Sequence, residues 1–122
     1  MLVVREQHLE PFKRQDRDRF EEWMVEHIAR HFSRQFQSLG AERVREMVRY
    51  GIANAATYGI TSKREVCKYI DLSVVFGRNF DRDARHAWAG QILNEPWDAE
   101  ARVTALQRTA MRVLGGQSAC LE

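Results

Sequence analysis

The segment Tyr58–Asp81, YGITSKREVCKYIDLSVVFGRNFD, constrains the fold more than any other stretch of this chain. Ser62 and Glu65 stand at capping-box spacing ahead of an apolar run, which marks a helix start. Within the run, Val66, Ile70 and Val74 project to one side and Tyr69, Leu72 and Phe76 to another, with Val75 between them. A helix that is apolar nearly all round must be covered on several sides. Gly59 ends whatever precedes it, and Gly77 and Asn79 end the run. The block predicts a helix over about 62–77 at the centre of a bundle, with nothing reactive on it. Cys67 lies on its apolar arc and reads as core filler.

Four further helical segments surround this hub. The first runs from about Pro11 to Phe32, with Phe20, Trp23, Met24, His27, Ile28 and His31 at helical spacing. The second, about Ala41 to Tyr58, carries Val44, Val48, Gly51, Ile52 and Ala55 on one face. Glycine inside a helix costs about 1 kcal/mol against alanine, and close approach of a neighbouring helix is the usual reason to keep it. A tight crossing is therefore expected at Gly51. After the polar turn RNFDRDARHAW comes a short helix through Trp88, Ile92 and Leu93, closed by Pro96. Asp98 caps the last helix, which carries Val103, Leu106, Ala110, Val113 and Leu114 and stops at Gly115 and Gly116. The expected fold class is all-α: a single compact bundle of about five helices, one domain over residues 1–116 with a flexible tail over 117–122.

Composition agrees with that class. A chain of 122 residues buries roughly two-thirds of its unfolded surface and needs no metal or disulfide to fold. With 44% hydrophobic residues and two prolines it is too apolar for disorder and too loop-poor for a β-sandwich. The 19 basic and 17 acidic residues are interspersed, and although Lys13, Lys63 and Lys68 leave 16 arginines, nearly every arginine cluster has acids close by. That pattern is a solvated surface rather than a nucleic-acid footprint. Cys67 and Cys120 are expected as free thiols. Neither a membrane-length apolar run nor a signal-peptide pattern is present, so the expected location is cytoplasmic.

Chemical motifs are sparse. His27 and His31 are spaced i, i+4, which lets two imidazoles reach one metal, but no Glu stands at the second position of that motif and no third ligand is evident in the sequence. The pair is read as edging the core or facing a partner. Asp81 and Asp83 flank Arg82, but the sixth and twelfth positions counted from Asp81 are His86 and Ile92, not the Gly and Glu of a calcium loop. Capping or arginine pairing is the expected role of these acids. GxSxG, a Gly-rich phosphate loop and a Cys/His nucleophile arrangement are absent, so no enzyme and no cofactor are expected. A helix-turn-helix over Glu46–Phe76 is disfavoured because its second helix is too apolar to lie in a groove. What remains is a surplus of aromatics, which are enriched in interfaces as well as in cores. Trp23, His27, His31, Phe36, Phe80, Trp88 and Trp97 are the expected partner-binding residues.

The helix ending in YGIT, the charged helix start, Tyr69-Ile70-Asp71-Leu72 and the FGRNFD stop, followed by a Trp-containing short helix, resemble small proteins encoded in bacterial type VI secretion clusters beside PAAR-tip and effector genes. The resemblance runs from Arg19 and Phe20 to the last helix. It implies an accessory co-chaperone that binds an adaptor chaperone or effector before the effector is loaded on the PAAR/VgrG spike. The expected partner is thus a protein, with a second copy of the chain as the alternative; neither nucleic acid nor a membrane is expected. An immunity protein is a rival reading, but it would usually concentrate charge complementary to its toxin, against the near balance seen here.

Overall fold

A computed structural model describes residues 14–115, and it is all-α: six α-helices and one short 3-10 turn, with no strand among the described residues. They are α1 (Arg14–His31), α2 (Ser33–Leu39), α3 (Ala41–Thr57), α4 (Lys63–Phe76), α5 (Ala87–Leu93) and α6 (Ala99–Leu114), with the 3-10 turn at Ala84–His86 ahead of α5. The expected first turns from Pro11 to Lys13 and the tail over 117–122, with Cys120, lie outside the described residues.

The extra helix relative to the sequence reading is α2. Phe32 leaves the helical region (φ −132°, ψ 54°), yet its amide still bonds Ile28 O at 2.8 Å and its carbonyl still accepts from Phe36 N at 2.9 Å. The chain turns a corner at a buried aromatic and resumes. No Gly or Pro marks that corner, so nothing local announced it.

Helix α4 is the hub. It packs on α1, α3 and α6, and its Val66, Tyr69, Ile70 and Leu72 are almost wholly removed from water. Its start is the capping box: Ser62 Oγ accepts from Glu65 N at 3.2 Å while the Ser62 hydroxyl donates to the Glu65 carboxylate. Its stop is Gly77 at φ 105°, a backbone conformation that side-chain-bearing residues rarely adopt. The crossing of α3 over α4 is at Gly51, where an added Cβ would lie 2.7 Å from Ile70 Cγ1. Asp98 caps α6 by accepting from Ala101 N at 2.8 Å. Arg102 ties the α5–α6 corner, donating to Leu93 O and Trp97 O at 3.0 Å each.

The turn after α4 departs from its polar reading. Phe80 N donates to Gly77 O at 3.1 Å, folding the chain back so that the Phe80 ring is buried against Tyr69, with centroids 5.1 Å apart. Asp81 follows it inside. Its Oδ2 accepts from Tyr58 Oη at 2.6 Å and from Asn54 Nδ2 at 3.2 Å, and Asn54 Nδ2 also donates to Tyr69 Oη at 2.7 Å. Burial first, and the Asp81 hydrogen bond second, push the Tyr58 phenol up to about 12. Arginine pairing, expected of both acids, is met by Asp81 with Arg82 Nε at 3.5 Å and by Asp83, which stays at the surface, caps the 3-10 turn through Arg85 N at 2.9 Å and pairs with the Arg85 guanidinium. Val113, expected on the apolar stripe of α6, is instead exposed.

Between α1 and α3 the contact includes a buried acid. Glu21 accepts from Arg45 Nη1 at 3.1 Å and from Arg49 Nε at 3.0 Å. Burial alone would raise its pKa, but the Arg49 and Arg45 hydrogen bonds prevail and hold it below the ordinary carboxylate value. A pKa depressed by folding contributes stability above the unfolded value, about 4.3, and that stability is lost as pH falls through the folded one. Glu21→Gln is therefore expected to destabilise the protein at pH 7 by on the order of 1 kcal/mol, a figure discounted for the exposure of Arg49. The difference should begin to shrink as pH falls below about 4.3 and close only below the depressed folded value, which urea denaturation of both chains across pH would reveal.

Candidate functional site

The α1–α4 seam collects the chemistry. Spacing of four places His27 and His31 one turn apart on α1 and Cys67 and Asp71 one turn apart on α4. Packing of the two helices brings the pairs together. His27 Nε2 lies 3.0 Å from Asp71 Oδ1 and 3.9 Å from Cys67 Sγ, and the His31 ring is 4.7 Å from that of His27, centroid to centroid. Trp23, a turn earlier on α1, stacks on His27 at 5.1 Å with the planes 18° apart. Its indole is nonetheless 51% exposed.

Burial governs the protonation of this cluster. It pushes the Asp71 carboxyl up to about 7, against the opposite pull of His31. It lowers His27, with the Arg30 charge adding to the effect. Burial and then the Asp71 charge push the Cys67 thiol up to about 12, with Lys68 opposing. His27 and Asp71 stand at ion-pair distance, and burial disfavours the charged form of each.

A Cys, a His and an Asp in contact invite comparison with a catalytic triad, and the geometry argues against it. A relay needs one imidazole nitrogen toward the thiol and the other toward the carboxylate. Here the same Nε2 faces both, and the thiol is held in its protonated, weakly nucleophilic form.

Beside the cluster opens a groove of about 630 Å³ lined by Phe20, Trp23, Lys63, Arg64, Cys67, Lys68, Asp71 and Gln107. Its apolar side is aromatic and its other side carries three cations from the first half of α4. The hub helix is thus not merely scaffold, as its apolar pattern suggested; its one polar edge forms half of this seam.

Of the aromatic residues and histidines expected to bind a partner, the fold brings Trp23, His27 and His31 together. The others disperse. Phe36 packs against the core from α2, and Trp88 is partly buried edge-to-face on Phe76 at 5.5 Å. Trp97 is 46% exposed in the α5–α6 connection. Phe80 is corrected outright: its ring is fully buried, because the Gly77 turn drives it under Tyr69, and it offers a partner nothing. Sequence reasoning missed Cys67 and Asp71 as members of the site. Their i, i+4 spacing on α4 mirrored the histidine pair, but what makes it meaningful is a contact across 40 residues or more.

These features define an all-α protein with a mixed imidazole, thiol and carboxylate seam next to an aromatic and basic groove. No known protein family, characterised protein or solved structure matches the chain. No helix among the described residues is long and apolar enough to cross a membrane.

Proposed function

We propose that this protein is a non-enzymatic binding adaptor, a co-chaperone that seats a segment of a partner protein in the α1–α4 groove. The observation that carries the reading is Trp23: a large indole half in water, held rigid by stacking on His27, at the edge of a groove with Phe20 inside and Lys63, Arg64 and Lys68 along its side. A rigid aromatic anchor beside a pocket is what interface hot spots are made of. The cations favour an amphipathic partner helix with acidic residues flanking its apolar stripe, since complementary charge sets register and suppresses wrong partners. The enclosure of α4 by α1, α3 and α6 supports this over a helix-turn-helix regulator, whose second helix must be free to enter a groove.

The resemblance of the central block to accessory proteins of type VI secretion clusters gives the partner a class: an adaptor chaperone or effector, engaged before loading on the PAAR/VgrG spike, with the cytoplasm as the place of action. Co-expression with such proteins tests it. One of them should co-elute with this chain as a defined complex; failure of every pairing would sink the assignment. Within that complex, Trp23→Ala should weaken binding roughly 30-fold, about 2 kcal/mol, in a calorimetric titration, with the variant's own unfolding nearly unchanged.

A further inference from the structure

We propose that His27, Cys67 and Asp71 form a binding site for a divalent transition-metal ion, zinc by preference, with His31 as the fourth ligand. The reading does not depend on the partner assignment. One ligand atom from each of the first three residues lies within 4.8 Å of the others. A tetrahedral zinc shell with bonds of about 2.0–2.3 Å has edges of roughly 3.3–3.6 Å. The observed separations, 3.0 Å from His27 Nε2 to Asp71 Oδ1 and 3.9 Å to Cys67 Sγ, bracket two of those edges, and the Cys67–Asp71 edge, within 4.8 Å, takes up the remaining side-chain adjustment.

The feature that defeats a catalytic triad is the one a metal requires. One nitrogen, one sulfur and one carboxylate oxygen converge on a common point instead of forming a chain. The two helices supply them as matched pairs one turn apart, so the framework is rigid and no loop has to close. The fourth donor would come from His31, exposed one turn on along α1 with its ring 4.7 Å from that of His27.

The donor set selects the ion. A thiolate with imidazole and carboxylate suits zinc and its neighbours, whereas calcium and magnesium demand oxygen shells. One thiolate and one carboxylate formally neutralise a dication, which suits a half-buried seam with Arg30 and Lys68 close by. Stacking of Trp23 on His27 restrains the imidazole in the manner of an outer-shell partner, and the groove gives the ion a way in.

The test uses the full chain, stripped with chelator, kept reduced and titrated with Co(II). Intense tetrahedral visible bands and a thiolate-to-cobalt charge-transfer band should saturate at one equivalent and disappear on addition of zinc. Cys67→Ala should abolish the charge-transfer band, Asp71→Asn should weaken zinc binding at least tenfold, and Cys120→Ser should change neither. If Cys67→Ala loses its helical circular dichroism, His27→Gln, at a position that keeps some contact with solvent, provides the same comparison through loss of stoichiometric binding. Absence of tetrahedral bands in the unmodified chain, or a charge-transfer band that survives Cys67→Ala or vanishes in Cys120→Ser, would overturn the proposal.

Discussion

Tyr69→Ala is expected to lower folding stability by about 3–5 kcal/mol, the range for deleting a buried aromatic ring. In a chain of this length that corresponds to a fall in Tm of roughly 15 °C. Tyr69 is wholly buried at the centre of α4, with Phe80 at 5.1 Å on one side and Tyr58 at 6.4 Å on another. Its hydroxyl accepts from Asn54 Nδ2, which also donates to the buried Asp81. Truncation therefore opens a cavity and deprives a buried amide of a partner. Tyr69→Phe separates the two effects. It keeps the ring and removes only the acceptor, so it should cost about 1–2 kcal/mol. Denaturant titration of both variants checks the difference; a Tyr69→Ala cost no larger than that of Tyr69→Phe would mean that the ring is not what holds α4 to the turn at Phe80.

Gly51→Leu should cost roughly 3 kcal/mol, and for the opposite reason. An added Cβ would already sit 2.7 Å from Ile70 Cγ1, a branch near the stem of that side chain rather than a movable tip, and each further carbon of leucine would intrude more deeply. Gly51→Ala is milder, because the improved helix propensity of alanine, about 1 kcal/mol, offsets part of the clash. A double-mutant cycle gives a sharper check. Ile70→Ala removes the obstructing carbon, so the double variant should be more stable than the sum of the single costs implies by at least about 1 kcal/mol. Strict additivity would place the strain of Gly51→Leu somewhere other than the α3–α4 crossing.

Those positions also show how far the sequence could be read. Gly51 announced the crossing because an unfavourable residue inside a helix needs a local reason. The Ser62–Glu65 box and the Asp98 cap were legible for a similar cause: their partners lie three residues away. The all-round apolar pattern of α4 placed it at the centre of the bundle. What pairs across helices was hidden. Glu21 carried no signal in the sequence and Asp81 only that of a cap or an arginine pair, yet both are buried by partners 23 or more residues distant. Phe80 looked like a loop aromatic free to meet a partner until the Gly77 turn folded it inward. The seam was half legible: Trp23, His27 and His31 stood out on α1, whereas Cys67 and Asp71 gain their meaning only from the α1–α4 packing.

The central claim is that a protein partner sits on the α1–α4 groove with Trp23 as its anchor, and side-chain oxidation footprinting of the complex tests it most directly. Trp23 and Trp97 are matched probes, 51% and 46% exposed. In the free protein both should be oxidised at similar rates. In the complex Trp23 should be protected while Trp97 stays reactive. Protection of Trp97 with Trp23 still reactive would contradict the account and move the binding surface to the α5–α6 connection.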